Sequence, residues 1–223
     1  VIYSGNNVVK KELTENEKIM FNKAATEFLH KNNLIGRLVL YLGTIEPRKN
    51  ISGLIAAYNQ LRAKDELTGA NKFRDLKLVL AGGNGWKNKK IYAEWNKSPY
   101  KNDIVFLGYI SRSEKEILYA SAAVFVYPSY YEGFGFPPLE AMTYGLPVIC
   151  SNISSLPEVV GGAALMINPF EIGEIADALE MILSDEALRQ SFIKKGYARA
   201  RMFTWEKTAQ EYLKVFKELH DKK

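Results

Sequence analysis

Two stretches carry residues whose types and spacing could do chemistry. Residues 132–140 read EGFGFPPLE, with acids at both ends of a run otherwise suited to turns and apolar contacts. Carboxylates accept hydrogen bonds from hydroxyls. The backbone amides of Gly133, Phe134, Gly135 and Phe136 lie between the two acids, and glycine lets such amides approach a ligand closely. Each residue before a proline is pushed out of the right-handed helical region, so Phe136 and Pro137 are expected to be extended and a helix to start at Pro138. Glu140 then falls at the third helical position, where a glutamate ordinarily closes a capping box on the N–H of the cap residue. Pro137 would be that cap and has no N–H, which leaves the Glu140 carboxylate for hydroxyls. The second stretch, GTIEPRKN (43–50), has Pro47 to stiffen it and places Arg48 and Lys49 just ahead of a helix beginning near Asn50. Two cations beside helix-terminal amides make an anion site that suits a diphosphate. Acids for hydroxyls, amides for oxygens and cations for phosphate together describe a nucleoside diphosphate sugar.

Other chemistries fit less well. The AGGNGW loop, with Gly82 and Gly83, fails as a dinucleotide fingerprint because position 88 is Asn, and EGFGFP fails because position 138 is Pro. There is no D-x-D sequence, and the two histidines, His30 and His220, fall in segments that read as surface helices, so no metal site is expected. Cys150 is the single cysteine and sits in an apolar run, where it reads as a small buried hydrophobe.

The elements that must position these groups are legible as continuous apolar runs at 37–43, 76–82, 103–108, 123–128, 147–151 and 163–168. Runs of this kind are strands buried on both faces of a parallel sheet. Between them lie helical patterns: at 50–64, Ile51, Leu54, Ile55, Tyr58 and Leu61 share a face with Asn50 as the capping candidate, and at 111–121 Ser111 is placed to cap. The alternation predicts an α/β fold, a doubly wound parallel sheet of Rossmann-like type. In such sheets ligands bind beyond the carboxyl ends of the strands, where GTIEPRKN, AGGNGW and EGFGFPPLE all fall. Further helices are expected near 171–184, 185–201 and 204–219. VIYSGNN reads as a short extended piece closing in a turn, ahead of an amphipathic helix in TENEKIMFNKAATEFLHKN. The organisation expected is a linker segment with a leading helix over 1–35, a nucleotide-sugar-binding domain over 36–203 and a closing helix over 204–223.

The 223 residues are 47% hydrophobic and 25% charged, enough to bury a full core and too mixed for disorder. No apolar run approaches the roughly 20 residues of a bilayer span. The net charge of +5 comes from lysines scattered over helical segments, without the interleaved aromatics of a nucleic-acid surface. A cytoplasmic protein is expected.

These motifs also resemble a known family. EGFGFPPLE followed by EAMTYGLPVICS, with GTIEPRKN, VLAGG and FLGYIS after the first three strands, is similar to the retaining glycosyltransferases of GT-B fold, family 4, and the likeness runs over essentially the whole chain. The resemblance implies a donor-binding C-terminal half of a GT-B fold, partnered by an N-terminal half that holds the acceptor. Arg48 and Lys49 would hold the donor diphosphate, and Glu132 would lie near the transferred sugar. Gly135, Phe136 and Pro137 backbone would surround its hydroxyls, Glu140 would accept from the ribose, and Tyr109 and Ile110 would flank the base. It implies transfer with retention, no metal, a weak preference for GDP-mannose, and possible attachment at the inner membrane face. One departure is Thr44, where many members carry arginine. Three competing readings are a non-catalytic nucleotide-binding module, a glycoside hydrolase using the two glutamates, and an epimerase.

Overall fold

The computed structural model describes residues 1–6 and 14–221. Six strands, β1 (Arg37–Leu42), β2 (Leu76–Ala81), β3 (Ile104–Gly108), β4 (Val124–Tyr127), β5 (Val148–Ser151) and β6 (Leu165–Ile167), form one parallel sheet in the order β3-β2-β1-β4-β5-β6. The six apolar runs are these strands, each trimmed by one to three residues where the chain leaves the ladder. Leu38, Val39, Leu40, Leu78, Val79, Leu80, Phe125 and Ile149 are buried, as a sheet covered on both faces requires. The strand order reverses between β1 and β4, which pair through Val39 with Val124 and Leu40 with Phe125. The crevice at the carboxyl ends of these two strands is where a doubly wound sheet binds ligands.

Nine α-helices accompany the sheet among the described residues: α1 (Glu15–Lys31), α2 (Ile51–Leu67), α3 (Lys89–Lys97), α4 (Arg112–Ser121), α5 (Phe136–Thr143), α6 (Leu156–Val160), α7 (Ile172–Ser184), α8 (Glu186–Ala200) and α9 (Trp205–His220). α2 packs on α7, α5 on α8 and α1 on α4. α1 and α4 begin with full capping boxes, Thr14 with Glu17 and Ser111 with Glu114. Cys150 is fully buried, and burial pushes its thiol up to about 12. His30 and His220 lie on exposed helix surface.

Two local expectations need correction, and the N-terminal segment adds a contact. Asn50 does precede α2, but in the left-handed region (φ 54°) and without capping through its side chain, because that amide donates to the Pro169 carbonyl and accepts from the Tyr130 hydroxyl. α5 starts at Phe136, not Pro138, because Gly135 at φ 119° makes the turn and the proline pair then occupies the second and third helical positions. Val1–Asn6 joins no strand and packs instead on the α8–α9 junction, where Asn6 N–H donates to Phe203 and Thr208 donates to the Tyr3 carbonyl. The end of the turn expected in VIYSGNN, at Asn7, and the last two residues of the closing helix expected over 204–223 lie outside the described residues.

Candidate functional site

The loop after β1 crosses the crevice as a short 3-10 turn, Pro47–Lys49. It delivers Lys49 into the interior, 7% exposed, where its ammonium donates to Glu132 Oε1 at 2.6 Å and to the Tyr127 hydroxyl at 2.8 Å. Arg48 turns outward. Its guanidinium donates to Glu132 Oε2 at 3.1 Å, to Glu46 Oε1 at 2.7 Å and to the Tyr131 carbonyl at 2.6 Å. Arg48, Lys49 and Glu132, read separately from two distant stretches, therefore meet in one cluster. It is internally neutral, two cations against Glu46 and Glu132, so the cations are already paired and do not stand as an open anion site.

Burial alone would raise the Glu132 carboxyl. Hydrogen bonding by Lys49, then the nearby Ser129 hydroxyl and the charges of Lys49 and Arg48, hold it below the usual carboxylate range. That Ser129 hydroxyl is itself buried and has no hydrogen-bond partner among the described residues. A carboxyl held ionised is the opposite of the raised-pKa acid a glycoside hydrolase needs. The Tyr127 hydroxyl is pushed up by burial and stays protonated.

Beyond Glu132 the chain runs over the crevice. The amides of Gly133, Phe134, Gly135 and Phe136 have no hydrogen-bond partner among the described residues. Gly133 is exposed, and a side chain there would meet nothing within 4 Å, so its lack of Cβ leaves room beside the amides. Gly135 is different: besides its positive φ, a Cβ would stand 2.7 Å from Leu156 Cδ2. With α5 starting at Phe136, Glu140 sits in the second turn and is not free. It accepts from Lys115 Nζ at 3.0 and 3.1 Å and from the Tyr119 hydroxyl at 3.1 Å.

The family profile described as "Glycosyl transferases group 1" matches residues 23–199. The chain belongs to the group 1 glycosyltransferases. It is 39% identical over 178 residues to the O-antigen chain mannosyltransferase B of Escherichia coli, covering 80% of this chain and 45% of that protein. It is 33% identical over 195 residues to a serotype-specific mannosyltransferase WbdA of the same organism, covering 85% and 23%. Among solved structures, a sucrose-phosphate synthase from Thermosynechococcus elongatus superposes with a TM-score of 0.73 at 28% identity, over 89% of this chain and 49% of that one. An α,α-trehalose-phosphate synthase from Burkholderia xenovorans reaches 0.76 at 14% identity, over 88% and 47%, and shares the fold. The architecture is that of one Rossmann-like half of a GT-B fold, and the group 1 chain spans less than half the length of these two curated relatives.

Other residues singled out in the sequence divide in two. Tyr109 follows β3 and is 89% exposed, while Ile110 is half-buried against the core. Gly82 is structural: at φ 145° a Cβ would collide with the Gly43 carbonyl, because the loops after β1 and β2 stay paired through Ile45 N–H to Gly83 O at 2.9 Å. Gly83 meets no such obstacle.

Several site residues of this group 1 chain escaped sequence reasoning. Ser154 and Ser155, in the loop after β5, clamp the Glu132 backbone: Ser154 Oγ accepts from Glu132 N–H and donates to its carbonyl, and Ser155 donates to the same carbonyl and to Phe134 O. Their signal was position, directly beyond a strand's carboxyl end. Tyr127 had the same signal, as the last residue of β4. Lys115 and Tyr119 stand four apart on α4, which puts both on the face toward α5. Nothing in EGFGFPPLE announces them.

Proposed function

We propose that this chain binds a nucleoside diphosphate sugar and forms the donor half of a retaining hexosyltransferase. The observation that carries the reading is the cluster of buried Lys49 and Glu132 with half-buried Arg48, lying next to four amides without a partner among the described residues at the switch point of the sheet. Mannose is the sugar we favour, because the relatives at 39% and 33% identity are mannosyltransferases by name. The base we favour is guanine, on the resemblance of the EPRKN loop.

In the proposed reaction the acceptor hydroxyl oxygen bonds to the anomeric carbon on the face from which the nucleotide departs. The anomeric C–O bond to the diphosphate breaks, and its electron pair leaves with the diphosphate. A diphosphate oxygen takes the acceptor's proton, so no enzyme nucleophile is needed. Lys49 and Arg48 face the charge that grows on the leaving group. Losing one such donor costs about 3 kcal/mol of barrier lowering. To do this they exchange part of their pairing with Glu132 for phosphate oxygens. Glu132 then accepts from sugar hydroxyls, the 133–136 amides donate to them, Glu140 accepts from the ribose, and Tyr109 and Ile110 flank the base. The cations supply the countercharge, so the reaction as proposed uses no metal. The second half would seat against α9, where Tyr212, Phe216 and Leu219 are 50–62% exposed. No helix among the described residues is long and apolar enough to cross a membrane.

Lys49→Ala tests the diphosphate role with its own control for folding, because two ligands are compared on one variant. Calorimetry should show nucleoside diphosphate binding weakened at least tenfold and nucleoside binding nearly unchanged. Equal losses for both ligands would refute that role.

A further inference from the structure

Phe170 is 65% exposed at the carboxyl edge of the sheet, just after β6, and the donor chemistry leaves it without a task. Its ring lies flat on Tyr130, centroids 5.0 Å apart and planes 23° from parallel, so one broad face stays open to solvent. The loop beneath is held firmly. Phe170 N–H donates to Asn168 Oδ1 at 3.1 Å, Asn168 N–H donates to Glu174 Oε2 at 2.8 Å, and Asn50 Nδ2 donates to the Pro169 carbonyl at 2.7 Å. Tyr130 is tied into the site itself: its hydroxyl donates to Asn50 Oδ1 at 2.8 Å and its N–H to the Arg48 carbonyl at 2.9 Å. An aromatic ring fixed in place yet left wet gains little for folding and is suited to a ligand.

We infer that the open face of Phe170, backed by Tyr130, stacks a pyranose ring of the acceptor saccharide. The electron-rich face of an aromatic ring attracts the weakly positive C–H groups of a pyranose, while the sugar's equatorial hydroxyls remain in water. We assign the sugar ring to the acceptor because the donor's proposed contacts are supplied by other residues, Glu132, the 133–136 amides, Glu140, Tyr109 and Ile110, while the platform joins the site through Tyr130 N–H on the Arg48 carbonyl. The inference rests on the donor-half reading and adds that this half holds part of the acceptor too.

The probe is an α-linked mannose disaccharide at millimolar concentration, read by saturation-transfer NMR on its ring protons, with GDP calorimetry run on the same samples. The unaltered chain should give a ring-proton signal, Phe170→Ala should reduce it about fivefold, and Phe170→Trp should restore it, with GDP affinity the same in all three. A signal unchanged in Phe170→Ala, or absent from a chain that binds GDP, would overturn the platform. A Phe170-dependent signal without GDP binding would instead uphold the platform and bring down the donor reading.

Discussion

Glu132 commits both carboxylate oxygens to cations, and its backbone N–H and carbonyl to Ser154 and Ser155. A side chain so fixed can change partners only if a stronger anion takes the cations, the role proposed for the donor diphosphate. The same pairing gives stability a pH dependence of known sign. Because the folded-state carboxyl lies below its ordinary value of about 4.3, its contribution is present above that value and is lost as pH falls through the lower folded one. Urea unfolding between pH 3 and 7 should show a loss of stability at the acid end that Glu132→Gln lacks, and identical slopes for the two proteins would contradict the pairing. Arg48, Lys49 and Glu132 were legible as candidates because two cations after one strand and an acid after another are unusual. Their mutual neutralisation was not, since it depends on β1 and β4 being neighbours across the switch point, which no local pattern encodes.

At the scale of elements, apolar runs and capping signals located all six strands and most of the helices. Misses came where backbone freedom outweighed local rules. The proline pair argued for a late start to α5, yet proline is tolerated throughout the first helical turn, and Gly135 at φ 119° supplies the turn one residue earlier. The shift moves Glu140 into the second turn and against Lys115 and Tyr119. α3 has no counterpart among the helical patterns read from the sequence, although Ile91 is buried and Tyr92 and Trp95 pack against the core. Gly135 is therefore a residue on which the site's geometry depends. Gly135→Ala combines a strained φ with a methyl pressed on Leu156, and should destabilise the fold by about 2 kcal/mol in urea unfolding. A change within 0.5 kcal/mol of zero would contradict that assignment.

The whole molecule is a Rossmann-like sheet whose loops converge at one crevice, and every proposed donor contact comes from the carboxyl ends of its strands or the helices that follow. Sequence reading reached this architecture because buried parallel strands announce themselves as continuous apolar runs. It reached the platform at Phe170 not at all, since stacking on Tyr130 joins loops forty residues apart. The proposed chemistry requires the paired cations to open to a nucleotide. Isothermal calorimetry of the unaltered chain against GDP, UDP, ADP and GMP, in chelator and without added metal, tests this most directly. Saturable binding of one diphosphate, GDP by our reading, at least tenfold tighter than its monophosphate is the predicted result. Equal affinity for diphosphate and monophosphate, or binding that appears only when a divalent metal is restored, would contradict it.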